Sequence, residues 1–353
     1  MLEIYVSEVG DGLCSLFLTK FRYNIQLDCG GNNQNIASEG FERIISSIGK
    51  PHRFILSHFH LDHYVGLFSP NLFKRFYIQK AYFPKLPEFP KNDEFLHKLV
   101  VLELMTYGAT SGSIEYDFLE SICRLNHSRS IDYLPLYEGV EENINGTKIE
   151  VLSPPHSITD IFFTDKIKEL ISRFNQLLDE DDRLRARYDD VYGSELVWKY
   201  MNQKEDTYER RTKYGDPNSD YKEAYFENDK GISDEIKILN KEFREAANRI
   251  SLAFKINNEF LFLGDLEKNE LRRVMNKLDG YYNYIILLNP HHGTHWQKNM
   301  NRLRVDYSIS SVGHGLISKF EQNYKSISNK TLSTYCNGDI FISNLPRAHS
   351  CAL

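Results

Sequence analysis

The six residues His58-Phe59-His60-Leu61-Asp62-His63 constrain this chain more than any other stretch. They come just after the apolar run Phe54-Ile55-Leu56, which reads as a short buried strand, and just before Gly66. His58 and His60 are two positions apart, so on an extended backbone they project to the same side. Asp62 and His63 fall where a turn begins and can face a second ion. Neutral imidazole and carboxylate suit zinc, iron or manganese, and two such ions can share one bridging water. The competing reading is a loop of surface histidines. Chance rarely gathers four metal-capable side chains into six positions at the end of a buried strand.

The hexapeptide resembles the signature of the metallo-β-lactamase superfamily, and further marks of that family follow in order. Ile25-Gln26-Leu27-Asp28-Cys29-Gly30-Gly31 is similar to its strand ending in Asp-x-Gly, and Phe260-Leu261-Phe262-Leu263-Gly264-Asp265 to its strand ending in Gly-Asp. Ile285-Ile286-Leu287-Leu288-Asn289-Pro290-His291-His292-Gly293-Thr294 narrows the resemblance to the ComEC-like (Rec2-type) branch, whose members carry His-His-Gly-Ser there. Smaller marks are Val9-Gly10-Asp11-Gly12, Leu152-Ser153-Pro154-Pro155, Asn248-Arg249-Ile250-Ser251-Leu252 and the tail Ser310-Ser311-Val312-Gly313…Asn337-Gly338-Asp339-Ile340.

The resemblance implies an α/β fold, an αββα sandwich of two mixed sheets forming a single domain over 1–353. Helical segments would be inserted at about 85–135 and 158–246. It also implies two divalent metal ions, zinc or manganese. His58 and His60 would hold the first ion, Asp62, His63 and His292 the second, and Asp265 would bridge them. His291 would turn toward substrate. Asp28 would accept the other ring N–H of a ligand histidine and so set its tautomer. Many family members supply a third histidine to the first ion, yet no histidine lies between His156 and Asp265. His156, after Pro154-Pro155, and Asn248, in the Asn-x-x-Ser position, are the two candidates for that place. His314 follows the strand-like Tyr307–Ser311. It joins Asp62 and His291 as a candidate catalytic group, able to hydrogen-bond a phosphate or protonate a leaving group. His52, His97, His127, His295 and His349 read as surface or capping residues, with His295 the nearest to the site in sequence.

Composition is compatible with this. The chain has 353 residues, 41% hydrophobic and 13% aromatic, enough for one large domain with insertions. A formal net charge of −6 argues against a generally basic nucleic-acid coat, although bound metal ions supply positive charge locally. No apolar run approaches the ~18 residues a membrane-spanning helix needs. Five cysteines, odd in number and scattered, suggest reduced thiols and a cytoplasmic location rather than a disulfide frame.

Periodicity predicts strands at Glu3–Val9, Leu13–Thr19, Tyr23–Leu27, Phe54–Leu56, Ala81–Phe83 and Lys148–Leu152. It predicts helices at Phe41–Ile48, Phe95–Tyr107 and Ile114–Asn126. Within 158–246, Ile167, Leu170, Ile171, Phe174, Leu177 and Leu178 form a helical stripe. Beyond it, Tyr188, Tyr192, Trp198, Tyr200, Tyr208, Tyr214, Tyr221 and Tyr225 interleave with Arg185, Arg187, Arg210, Arg211 and Lys213. Such a mixture could stack bases and hold phosphates, or dock a protein partner or a second copy. Equally dense acidic residues favour a helical insertion whose aromatics pack on the main domain.

The implied chemistry is metal-assisted hydrolysis, with two ions acidifying a shared water to a bound hydroxide. The ComEC-like resemblance points to a phosphodiesterase or nuclease. Alternatives are a small-molecule hydrolase of phosphoesters, lactones or thioesters, a di-iron redox protein, a binding module without metal, and an effector subunit of a multi-protein system. No P-loop or dinucleotide fingerprint is present.

Overall fold

The computed structural model of the chain describes residues 2–19, 23–68, 78, 80–86, 94–107, 132–157, 164–193, 232–278 and 282–343. Its strands form two sheets. The first holds β1 (Glu3–Val6), β2 (Cys14–Leu18), β3 (Asn24–Cys29), β4 (Arg53–Ile55), β5 (Lys80–Pro84), β6 (Asp132–Leu136) and the last strand β14 (Ile340–Ile342), in the order β14-β1-β2-β3-β4-β5-β6. The second holds β7 (Glu141–Ile144), β8 (Thr147–Ser153), β9 (Ala253–Ile256), β10 (Phe260–Phe262), β11 (Tyr282–Leu288), β12 (Leu303–Ser310) and β13 (Ser328–Ser333), in the order β13-β12-β11-β10-β9-β8-β7. Both are mixed: β3 to β6 run parallel, as do β10 to β13, while the remaining neighbours are antiparallel.

Alternation along the strands builds three apolar layers. Ile4, Phe17, Leu27, Ile55, Phe254, Phe260, Phe262, Ile286 and Leu288 meet between the sheets. Their neighbours Phe54, Leu261 and Leu287 point the other way, into the layers under the helices. Both faces of these strands are therefore buried, which is why β10 and β11 read as continuous apolar runs. Helices α1 (Gln34–Ile48), α3 (Glu94–Tyr107), α4 (Thr164–Glu180), α5 (Asp182–Gly193) and α6 (Asp234–Arg249) contribute to the layer outside the first sheet; the four-residue α2 (Leu61–Tyr64) carries part of the hexapeptide. Helix α7 (Lys268–Lys277) covers the second, and the short α8 (Thr334–Asn337) precedes β14. This is the αββα sandwich that the resemblance implies.

Local chemistry explains the longer helices. Asn33 caps α1 by accepting from the Ile36 N–H at 3.0 Å, and Ser233 caps α6 by accepting from the Ile236 N–H at 3.3 Å. In α6, Ile236, Leu239, Asn240, Phe243, Ala246 and Ala247 recur at three- and four-residue spacing and are buried.

One expectation needs correction. Residues 132–136 lie at the end of the stretch expected to be a helical insertion (about 85–135), yet they form the edge strand β6, parallel to β5. Pro135 is tolerated because an edge strand leaves one row of N–H positions unpaired. The described part of 158–246 is helical. The stripe Ile167, Leu170, Ile171, Phe174, Leu177 and Leu178 is buried in the same layer as Phe41, Phe54 and Leu99, so the described part of this segment belongs to the core. Phe243 stacks on Phe95 of α3 with centroids 5.3 Å apart, and Tyr188 meets Phe174 at 5.5 Å. The helix expected at Ile114–Asn126 and the aromatic and basic residues from Trp198 to Tyr225 lie outside the described residues. Among the described residues no helix is long and apolar enough to cross a membrane.

Candidate metal centre

Strand β3 carries Asp28 as its next-to-last residue, β4 leads through Leu56 and Ser57 into the hexapeptide, β10 leads to Asp265, β11 to His291 and His292, and β12 to Ser311. All five strands belong to parallel pairs and deliver these residues from their C-terminal ends, where crevices open in α/β sheets. Backbone contacts set the approach. The Leu13 N–H donates to the Asp62 carbonyl at 3.3 Å. A Cβ at Gly30 would lie 1.7 Å from that same carbonyl oxygen, so no larger residue fits where β3 passes beneath the hexapeptide. His291 (φ 49°, ψ 53°) and His292 (φ 57°, ψ 16°) both sit in the left-handed region, which disfavours side chains with a Cβ. The turn is held by the His291 N–H donating to the Gly264 carbonyl at 3.0 Å and by the Thr294 hydroxyl donating to the His291 carbonyl at 2.7 Å. Backbone strain of this kind is typical of functional sites.

The hydrogen bonds also set the tautomer of four buried rings. Asp28 accepts from the Ser57 N–H at 2.7 Å, the Ser57 hydroxyl at 2.6 Å and His63 Nδ1 at 2.7 Å. With its proton given to Asp28, the Ser57 oxygen accepts from His58 Nδ1 at 3.0 Å. His292 Nδ1 donates to the Ser311 carbonyl at 2.9 Å, and His60 Nε2 to the Arg244 carbonyl at 3.1 Å. Each ring gives its one neutral-state N–H outward, so each presents a lone pair inward: Nε2 of His58, His63 and His292, and Nδ1 of His60. These lone pairs face each other closely, His58 Nε2 to His60 Nδ1 at 2.9 Å and His63 Nε2 to His292 Nε2 at 3.3 Å.

Carboxylates complete the cluster. Asp265 Oδ2 lies 3.2 Å from His292 Nε2, 3.6 Å from His63 Nε2 and 3.9 Å from His58 Nε2. Asp62 Oδ2 lies 3.7 Å from His63 Nε2 and 3.8 Å from His292 Nε2. Two groups result, His58–His63–Asp265 and Asp62–His63–His292, joined at His63. Facing lone pairs repel unless a proton or a cation lies between them, and carboxylates within reach favour the cation. The donor set therefore fits divalent metal.

Electrostatics agree. Burial, with the neighbouring rings and, for His60, first the Arg244 charge, pushes His58 and His60 well below the usual imidazole range, so both keep lone pairs. Burial also opposes charge on His63 and His292, but Asp265, together with Asp28 for His63, overrides it and raises both. Burial would raise Asp265 and Asp62. The surrounding histidines, and Arg244 for Asp62, hold both carboxyls low instead. A positive charge is thus favoured between these groups, and metal would compete with protons for the same nitrogens.

Helices α3 and α6 contribute the residues that sequence reading missed. Arg244 pairs with the fully buried carboxylate of Glu103 and, through Nη2, with Asp62 Oδ1 at 3.4 Å, while its own carbonyl holds His60. Glu103 Oε2 also accepts the Leu61 N–H at 3.2 Å. Burial pushes the Glu103 carboxyl up to about 7, against the pull of Arg244. Ser57, directly before His58, was readable as a neighbour; Glu103 and Arg244 come from distant helices and carry no local signal.

The remaining candidates are placed as follows. His291 Nε2 lies 4.0 Å from Asp265 Oδ2, beside the cluster. Asp28 stands behind His63, its carboxylate accepting from the ring Nδ1 at 2.7 Å. Asn248 is buried, donates to Glu267 Oε1 at 3.1 Å and leaves its side-chain oxygen without a protein partner. His156 is exposed, edge-on to Tyr137 at 4.7 Å, and the structure does not bring it into the cluster. His314 is also exposed, edge-on to Tyr335 at 4.8 Å. Its loop is clamped by Asp11, whose carboxylate accepts the N–H groups of Gly313, Gly315 and Leu316 at 2.7, 2.9 and 3.1 Å, a role for the Val9-Gly10-Asp11-Gly12 stretch.

No protein-family model and no curated protein sequence matches the chain. Among solved structures it is similar to the metallo-β-lactamase fold protein YhfI from Bacillus subtilis, at 9% identity and TM-score 0.41 over 97% of this chain and 99% of that one. It is similar to a diphosphatase of the PhnP family at 8% identity and TM-score 0.41, over 97% and 98% of the two chains. It is also similar to the long form RNase Z from yeast, at 14% identity and TM-score 0.38, covering 96% of this chain and 41% of that chain.

Proposed function

We propose that this chain is a metal-dependent hydrolase with zinc or manganese at two adjoining sites, acting on phosphodiesters, with DNA or RNA as the leading substrate class. The observation that carries the reading is the convergence of the Nε2 lone pairs of His58, His63 and His292 on the carboxylate of Asp265, with Asp62 against two of them and His60 Nδ1 against His58 Nε2. Asp265 Oδ2 lies within 3.9 Å of the Nε2 atoms of His58, His63 and His292, so its carboxylate would reach ions held by either group. Divalent ions held by His58, His60, Asp62, His63, Asp265 and His292 would supply Lewis acidity toward a phosphoryl oxygen and acidify water at the site.

The protein's own groups orient and hold. Asp28 and Ser57 lock His63 and His58, Arg244 holds Asp62 from behind, and Ser311 holds His292. The Ser57 hydroxyl is engaged by Asp28 and the two rings, so it is not a free nucleophile. The phosphodiester assignment has its support in the His-His-Gly-Thr resemblance and in His291, which stands beside Asp265 while its neighbour His292 faces the ligands. With a net charge of −6, affinity for nucleic acid would come from a local patch and weaken steeply with salt.

The test is a substrate panel on metal-loaded protein: bis-p-nitrophenyl phosphate, single- and double-stranded DNA, RNA, cyclic nucleotides, lactones and thioesters. Phosphodiester cleavage that disappears on chelation is expected, and His291→Ala should lower its rate roughly 10²–10⁴-fold while metal at the two sites is retained. Turnover of lactones or thioesters with every phosphodiester left intact would overturn the substrate class.

A further inference from the structure

His291 differs from the other four rings of the site. Its Nδ1 lies 2.9 Å from His295 Nδ1, and His295 Nδ1 lies 3.1 Å from the Leu266 carbonyl oxygen. A carbonyl can only accept, so the Leu266 contact places the proton on His295 Nδ1. The opposite arrangement would set a lone pair on His295 against the lone pairs of that carbonyl. The His295 N–H is then shared between Leu266 and His291 Nδ1, which must accept. A neutral His291 therefore carries its proton on Nε2, the nitrogen that faces the site 4.0 Å from Asp265 Oδ2. The partner is itself well fixed: the rings of His291 and His295 meet edge-on at 4.0 Å, and the Tyr324 hydroxyl donates to the His295 backbone carbonyl.

We propose that His295 is a positioning residue that sets the tautomer of His291, so that His291 offers an N–H to the site where His58, His60, His63 and His292 offer lone pairs. His291 is thereby a hydrogen-bond donor to an anionic substrate oxygen and not a metal ligand. This role toward substrate rests on the phosphodiesterase reading; the tautomer does not. The chemistry recognised is a non-bridging phosphoryl oxygen, an acceptor that a lone pair on Nε2 would repel.

The test has two independent readouts on the full-length, metal-loaded protein. Nitrogen-15 NMR of the labelled imidazoles reports which nitrogen of His291 carries the proton. The expected result is Nε2–H in the parent chain and in His295→Asn, whose side-chain amide can donate in place of Nδ1–H, and a mixture of tautomers in His295→Leu. In kinetics on bis-p-nitrophenyl phosphate, His295→Leu should lower kcat about 10–100-fold with metal content unchanged, and His295→Asn should restore most of the loss. An Nδ1–H tautomer at His291 in the parent chain overturns the proposal. So does loss of one metal ion per chain in His295→Leu, which would mean that Glu267, His291 and His295, close enough together to share a cation, bind one instead. Should no phosphodiester be cleaved, the NMR readout still decides the tautomer, so failure of the functional reading is separable from failure of this one.

Discussion

Replacing Phe243 with alanine tests whether the inserted helices belong to the core. Phe243 is fully buried on α6, stacked on Phe95 of α3 at 5.3 Å and 17°, and it meets Phe174 of α4 edge-on at 6.3 Å and 65°. One ring thus ties α6 to both neighbouring helices. Truncating a buried phenylalanine costs about 3–5 kcal/mol from lost transfer energy and the cavity left behind. Each aromatic pair adds roughly 0.5–1.5 kcal/mol beyond area. With two such pairs the expected loss is therefore about 4–8 kcal/mol, a large part of a typical stability of about 5–15 kcal/mol. Phe243→Leu, which keeps most of the volume, should lose about 1–2 kcal/mol. Urea unfolding followed by circular dichroism measures both, with the midpoint falling at unchanged slope. A loss below about 1 kcal/mol for Phe243→Ala, with a cooperative transition, would refute the reasoning. It would mean that 164–249 hangs on the outside of the sandwich.

Two further outcomes are expected. Asp28→Asn should weaken zinc binding about 10–100-fold in a chelator competition, because both Asp28 oxygens accept hydrogen bonds and one face of an amide would present N–H to a donor; unchanged affinity would sink the tautomer argument for His63. Glu103 is buried and pushed up to about 7 from an ordinary 4.5, so the stability it contributes is full below pH 4.5 and lost as pH rises through about 7. The gap corresponds to about 3 kcal/mol. Glu103→Gln cannot ionise, so its stability relative to the parent should rise by up to that amount between pH 5 and pH 8 in denaturant titrations, and a constant difference would contradict the assignment.

Much of the candidate metal centre could be read along the chain because it is built from local pieces. HxHxDH, Gly-Asp and His-His-Gly each lie within a few residues of a strand end, and the two-residue period of a strand dictates which side chains share a face. The apolar runs 260–263 and 285–288 were matched to strands by resemblance, and their continuity follows from the structure, since strands covered on both faces need apolar residues at every position. The helical stripe from Ile167 to Leu178 was legible as a stripe, but not as a part of the core. A hydrophobic face shows that something covers it without showing what, and here the cover is Phe243 and the outer face of the first sheet. Strand β6 was missed because an edge strand carries a weak pattern and takes its structure from its neighbour β5. Glu103 and Arg244, 141 positions apart, meet beside Asp62 only once α3 and α6 have packed on the same sheet. The tautomers of His58, His60, His63 and His292 depend on acceptors contributed by Ser57, Arg244, Asp28 and Ser311, and that of His291 on the N–H that His295 donates. Sequence names the residue types that can bind metal or donate a proton. Which nitrogen carries the hydrogen is a matter of what stands behind each ring, and that is settled when distant backbone segments come within hydrogen-bonding distance.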